Sequence, residues 1–277
     1  MDIVRLLGGL GNQMFQYALV EALRNRGRQV YCNLGLMKWE GARPVLIDKI
    51  FKGVYLNEIG DDAVNKIYNE SSHFLANRRK VFEEICFEDV FFHKDVFDTK
   101  DCIFTGYWQS EKYFADCQER IREVFQFSCI PDEVIRFGEE LSKNTVSIHI
   151  RRGDYLKHKE YAVCDEKYYK DAIQYIRNII PDVQFICFSD DKQWMNKSIE
   201  LRNEGITICS EELFSSYCDW YDMYLMTCCR GNIIANSSFS WWASWLNKHK
   251  DKIIVAPKFW INGWDIPDIW CDNWIRM

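Results

Sequence analysis

The chain lacks a surplus of positive charge: 35 Lys and Arg stand against 41 Asp and Glu, a formal net charge of −6 over 277 residues. A nucleic-acid backbone demands clustered cations over a broad face, so this balance excludes nucleic acid as the main partner. Any anionic ligand has to be recognised locally. No apolar run is long enough to span a bilayer, which leaves only a peripheral membrane association open. The five histidines are scattered, and no Asp-x-Asp spacing occurs; neither Ser189-Asp190-Asp191 nor the stretch Asp219–Asp222 supplies it, so no metal is expected. None of the twelve cysteines forms Cys-x-x-Cys, and Cys228-Cys229 are adjacent, a poor geometry for a disulfide. Met1 leads directly into a strand-like "DIVRLL" with no signal peptide to read. The thiols are therefore expected to be reduced, mostly buried and in a cytoplasmic setting. No internal repeat or low-complexity tract is present.

What is abundant is apolar and aromatic matter: 48% hydrophobic, 16% aromatic, eleven Trp. That composition is globular, and the length suits two domains of ordinary size. Residues 2–33 read as strand, glycine turn, helix and strand. The helix begins near Asn12, repeats apolar residues at Met14, Phe15, Ala18, Leu19 and Ala22, and stops at Gly27. "CIFTGY" (102–107) reads as a strand, followed by a helix over 110–125 with Ser110 as its N-cap. Residues 45–97 show helical fragments without a clean period. Around Pro131, residues 128–135 read as a connection between domains, giving domains 1–135 and 136–277. Beyond it, strands at 145–150, 183–188, 206–209, 232–236 and 252–256 alternate with helices at 167–179, 192–202, 218–229 and 239–248. The pattern predicts an α/β fold of two Rossmann-like domains facing a central cleft, with ligands at the carboxyl ends of parallel strands.

Four strand ends carry chemistry. In "GGLGNQMF" (8–15) Gly9-x-Gly11 is followed by Met14 where a dinucleotide fingerprint needs glycine, and no Walker Lys-Ser/Thr follows. What remains is a tight turn that lets a ligand approach backbone, with Asn12 and Gln13 able to offer amides; a plain strand-to-helix turn fits equally well. "SIHIRRGDY" (147–155) places Ser147, His149 and Arg151 on one side of a strand and delivers Arg151 at its tip. A guanidinium pairs bidentately with phosphate and stays charged, while Asp154 has the chemistry to orient it or to accept a proton. Arg152-Gly153-Asp154 matches an adhesive tripeptide, but such tripeptides act on exposed loops of secreted proteins, and nothing else in the sequence points there. The strand before Ser189 ends in Asp190 and Asp191, which suit a nucleobase amino group or a ribose hydroxyl. "NSSFSWWASWL" (236–246) offers Ser237 and Ser238 at a helix start, as an anion site or as an ordinary N-cap. Its Trp241 and Trp242 read as core.

Taken in order and spacing, "GGLGNQMFQYA", "GYWQSEKYF", "HIRRGDY" and "NSSFSWWASWL" resemble bacterial α-1,2-fucosyltransferases of glycosyltransferase family eleven. The resemblance covers nearly the whole chain and is weakest over 35–95. It implies a GT-B architecture, GDP-β-L-fucose as donor substrate, inverting transfer to the 2-hydroxyl of a terminal galactose, no metal or other cofactor, and a cytoplasmic enzyme, peripheral at the inner membrane if membrane-associated at all. By the same resemblance Arg151 meets the donor β-phosphate, His149 lies near the nucleoside, Asp190 or Asp191 reads guanine, Ser237-Ser238-Phe239 contacts phosphate, and Asn12 faces the donor with Gly9 and Gly11. Arg152 is placed in the donor set as the partner of a carboxylate. Asp154 and His149 are the two candidates for general base. Acceptor contacts are expected at Tyr107, Trp108, Gln109 and Tyr113. A fucosyltransferase of other linkage, α-1,6 for example, and a non-catalytic galactoside- or nucleotide-binding module are the alternatives.

Overall fold

A computed structural model of the chain describes residues 1–66, 81–84, 91–198, 204–209 and 211–277. They divide into two compact units, Met1–Ser128 with Pro267–Trp270, and Cys129–Ile266 with Cys271–Met277.

The first unit holds β1 (Asp2–Arg5), α1 (Leu10–Asn25), β2 (Val30–Asn33), α2 (Ile47–Ile50), β3 (Val81–Glu83), β4 (Ile103–Thr105) and α3 (Gln118–Val124). Its four strands are all parallel, in the order β2-β1-β4-β3. The five apolar positions that define the period of α1 are each 0% exposed. The helix ends because Gly27 turns to φ +74, letting its own N–H and that of Arg28 close on Arg24 and Leu23 carbonyls. Gln13, Gln16 and Glu21 are buried on the same helix. That is why its polar residues are tied into the fold rather than left to solvent.

The second unit holds α4 (Asp132–Asn144), β5 (Thr145–Ile150), α5 (Glu166–Ile179), β6 (Gln184–Ser189), α6 (Lys192–Lys197), β7 (Thr207–Ile208), α7 (Trp220–Cys228), β8 (Gly231–Ile233), α8 (Ser238–Leu246), β9 (Ile253–Ala256) and β10 (Ile275–Arg276). All six strands run parallel in the order β10-β9-β8-β5-β6-β7. Strand β5 is buried at every residue. Val146, Ile148 and Ile150 face one way and share a core with Tyr168, Ala172, Ile173 and Ile176 of α5. Burying each of the Val and Ile side chains among them stabilises the fold by roughly 1.5–3 kcal/mol. Asp165 caps α5 by accepting from the Tyr168 N–H at 2.8 Å. Trp241, Trp242 and Trp245 of α8 are 0%, 0% and 3% exposed, so this helix is core all round, as the sequence suggested.

The parallel α/β class read from the sequence is the one observed. Several elements differ. The helix expected over 110–125 splits: Ser110 caps a 3-10 stretch, Glu111–Cys117, broken at Phe114 (φ −130, ψ 21) before α3 begins. The boundary between the units, Ser128–Cys129, falls inside the stretch read as a connection, and helix α4 already starts within it, with Pro131 at its N-cap. Helix α6 ends at Lys197 with Ser198 as its extended C-cap, short of the expected 202; residues 199–202 lie outside the described residues, as do 67–80 and 85–90. The eleven described cysteines are free thiols, seven of them buried.

Candidate active site

In the second sheet β5 leads through α5 to β6 on one side, whereas β8 leads through α8 to β9 on the other. The chain thus departs in opposite directions from two adjacent strands, opening a crevice at their carboxyl ends, where open parallel sheets bind ligands. His149 and Arg151 come from β5, Asp190 and Asp191 from β6, and Ser237, Ser238 and Phe239 from the segment after β8. All of these sequence-derived residues lie at one end of one sheet.

Arg151 is held by two carboxylates. Its Nη2 lies 2.7 Å from Asp154 Oδ1 and its Nη1 3.0 Å from Asp190 Oδ2. Its side chain is 22% exposed, and its guanidinium carbon sits 5.5 Å from the centre of the Tyr155 ring. Tyr155 donates to Asn236 O at 2.8 Å and stacks on Tyr161 at 4.6 Å. Asn236 in turn donates to Tyr161 O and Trp260 O, so the loops behind Arg151 are knitted to the end of β8. Arg152 does a different job: it pairs with Asp191 Oδ2 at 3.2 Å and lies 4.1 Å over the Trp194 ring.

The carboxylates expected to read guanine are engaged. Asp191 Oδ1 accepts from the Trp194 N–H at 2.9 Å, capping α6, while Oδ2 takes Arg152. Asp190 Oδ1 accepts from the Arg152 N–H at 2.8 Å while Oδ2 takes Arg151. Both carboxylates therefore have partners within the fold.

Two strand positions back, His149 is 4% exposed and its ring lies 5.8 Å from Phe239. Its Nδ1 is buried with no hydrogen-bond partner among the described residues. Burial, then the charges of Arg151 and Lys192, push its pKa down to about 3. The imidazole is therefore neutral at pH 7. Ser237 occupies the N-cap of α8, yet its side chain makes no capping hydrogen bond. The first-turn amides of α8 have no acceptor within the helix, the arrangement that binds anions.

Sequence reasoning missed a neighbouring charged cluster. Lys192 Nζ lies 3.1 Å from Asp222 Oδ2, both groups contact the Tyr217 hydroxyl, and Cys209 Sγ donates to Asp222 Oδ1 at 3.9 Å. Asp222 is 6% exposed, and burial raises its pKa to about 6 against the opposing pull of Lys192. The signal was available: Asp222 falls in a helix whose following residues, Met223, Leu225 and Met226, are all core. A carboxylate in that company has to be buried and paired.

In the first unit the glycine turn makes its conformational demand at Gly8 (φ +80), where a Cβ would meet Asn12 Nδ2 at 2.7 Å. Gly9 is the N-cap of α1 with open space where a side chain would be, and Gly11 is buried in the first turn. Gln13 is spent on structure: it donates to Gly8 O and Pro44 O and accepts from the Leu46 N–H. Asn12 Oδ1 accepts from Gln109 Nε2 at 2.9 Å, joining the ends of β1 and β4. Of the four acceptor candidates, Tyr107 and Gln109 are partly exposed. Trp108 and Tyr113 are not available, at 0% and 1% exposure. They pack edge to face at 5.6 Å, and the Tyr113 hydroxyl is bonded to Phe91 O and the His93 N–H. Aromatic packing outcompeted ligand contact at both positions.

Among the described residues no cluster of three or more His, Cys, Asp or Glu is arranged to hold a metal, and no helix is long and apolar enough to cross a membrane. Comparison with known proteins gives a full-length match. An alpha-1,2-colitosyltransferase of Escherichia coli is 33% identical over 302 residues, covering 99% of this chain and 98% of that protein. A galactoside 2-alpha-L-fucosyltransferase of Caenorhabditis elegans is 28% identical over 158 residues, 53% of this chain and 43% of that protein. Among solved structures, the E. coli ADP-heptose LPS heptosyltransferase II aligns with a TM-score of 0.49 and 13% identity, over 100% of this chain and 89% of that one. The family description of glycosyl transferase family 11 matches residues 1–277 from end to end, and the chain belongs to that family of glycosyltransferases.

Proposed function

We propose that the protein transfers L-fucose from GDP-β-L-fucose to the 2-hydroxyl of a terminal galactose, with inversion, forming an α-1,2 linkage. The observation that carries this reading is the placement of Arg151: a permanently charged, pre-oriented guanidinium at the tip of β5, in the crevice where the strand connections diverge. The sugar donor supplies a diphosphate leaving group. As the bond from the anomeric carbon to the phosphate oxygen breaks, the sugar becomes oxocarbenium-like and negative charge builds on the diphosphate. The acceptor oxygen bonds to the opposite face of that carbon and loses its proton to water.

Arg151 stabilises the charge on the departing diphosphate, which exists in full only late on the path. The first-turn amides of α8, with Ser237 and Ser238, add donors for the same group, and His149 and Phe239 form the neighbouring wall for the nucleoside. Asp154, 2.7 Å from Arg151, serves as its orienter. Asn12, Tyr107 and Gln109 are assigned to sugar contacts at the strand ends of the first unit. No metal enters the scheme, because cationic and amide donors carry the diphosphate.

The full-length likeness to a colitosyltransferase favours a second reading, in which the transferred sugar is the 3-deoxy counterpart of fucose. Incubation with lactose and either GDP-fucose or GDP-colitose, with and without EDTA, tests both. The expected result is EDTA-insensitive transfer from GDP-fucose with an α-1,2 product by NMR. A site that hydrogen-bonds the 3-hydroxyl should reject the deoxy donor by roughly 10⁴-fold. Preference for GDP-colitose would assign the second reading, and GDP binding without turnover from either donor would overturn both.

A further inference from the structure

Gly153 stands between the two halves of the Arg151 site. A Cβ built on it would collide with Asp190 Oδ2 and come within 3.3 Å of Asp190 Cγ. The atoms in the way belong to the end of a side chain, so a methyl group there displaces the carboxylate. Asp190 reaches across from the end of β6 into that space and divides its two oxygens. One accepts from the Arg152 N–H at 2.8 Å and fixes the backbone turn, while the other pairs with Arg151 Nη1 at 3.0 Å and fixes the guanidinium. Asp154 holds the opposite nitrogen, Nη2. A guanidinium gripped at both ends has one attitude left to it.

We propose that Asp190 is a positioning residue for Arg151, seated there because residue 153 is glycine, and that it trades ground-state affinity for orientation. Its carboxylate competes with the diphosphate for Arg151, so it weakens the hold on GDP while fixing the donor for the charge that develops as the sugar departs. Contact with guanine, which the sequence offered to Asp190 or Asp191, would strengthen GDP binding. The two assignments therefore predict opposite signs.

This inference rests on Arg151 as the diphosphate ligand, and the experiment separates the two. Calorimetric titration with GDP and steady-state transfer from GDP-fucose to lactose are compared for the full chain and for Arg151→Ala, Asp190→Ala, Asp190→Asn, Gly153→Ala and the double variant Gly153→Ala/Asp190→Ala. Asp190→Ala is expected to lower kcat by about 100-fold, the scale of a misplaced catalytic group. GDP affinity should hold or rise. Asp190→Asn keeps an oxygen for the Arg152 N–H and should recover part of the rate. Gly153→Ala should reproduce the Asp190→Ala loss, and the double variant should be no worse than Asp190→Ala alone, because the two changes act through one contact. GDP affinity falling in step with kcat in Asp190→Ala would overturn the proposal, as would multiplying losses in the double variant or a wild-type rate in either single one. If Arg151→Ala itself binds GDP and turns over normally, the reading of Arg151 fails as well. If Arg151→Ala fails and Asp190→Ala does not, only the positioning role falls.

Discussion

The carboxyl ends of the two sheets are built from different chemistry. In the first unit the strand ends are joined in large part by amides, Asn12 with Gln109 and Gln16 bridging Leu7 and Gly106, alongside Arg5 bonded to Asn33 and the Glu84 carboxylate accepting from the Tyr107 and Trp108 N–H groups. In the second they carry Arg151, Arg152, Asp190, Asp191 and the Lys192–Asp222 pair. Amides in a partly buried site offer directional donors and acceptors without a field, which suits hydroxyl-rich, uncharged partners. Paired guanidinium and carboxylate groups hold a field in reserve, released when an anion displaces one member.

That contrast can be broken at several points. Trp108→Ala empties a fully buried aromatic cluster in the first unit and should cost about 3–5 kcal/mol of stability, read by denaturant unfolding. A stable variant with a selective loss of acceptor KM would restore Trp108 as a ligand contact. Arg151→Ala should do the reverse, lowering transfer by at least about 100-fold, or about 3 kcal/mol, with an unchanged unfolding midpoint. A variant that unfolds instead would make Arg151 part of the scaffold.

Acidification probes His149. Its pKa is depressed from 6.5 to about 3, so below pH 6.5 only the unfolded chain takes up the proton. The stability it contributes is whole above pH 6.5 and drains toward pH 3, by about 1.4 kcal/mol for each pH unit. Asp222, raised from 3.8 to about 6, acts oppositely: its contribution is present below pH 3.8 and lost as pH rises through about 6. Comparing wild type with His149→Gln at pH 7.5 and pH 5 isolates the histidine, and equal acid losses in both would remove it as the source. The smallest effect is expected from Gln109→Ala. It should raise acceptor KM by a few-fold, about 1 kcal/mol for one neutral hydrogen bond, with GDP affinity unchanged. A weakened GDP affinity would move Gln109 to the donor.

Period and polarity made much of this legible in the sequence. Alternation in β5 put Ile148 with the core and His149 with the site, and the apolar repeat of α1 announced a buried helix. What escaped was decided by contacts distant in sequence. Asp222 finds Lys192 across thirty positions, and Trp108 and Tyr113 are claimed by a cluster that includes Phe82 and Phe104. No local pattern encodes which of several aromatic residues the core will take.

The segment Pro267–Trp270 returns to the first unit, where Asp268 pairs with Lys112 and accepts from the Phe92 N–H, before the chain re-enters the second and adds β10 at the edge of its sheet. The polypeptide therefore passes between the units at three points. A ribosome that has released the first 128 residues has delivered an N-terminal unit still missing a piece, and that piece arrives after nearly all of the second unit has been made. The first unit is completed only when residues 267–270 have been made and the second only when β10 has, so changes within residues 267–277 should unsettle both.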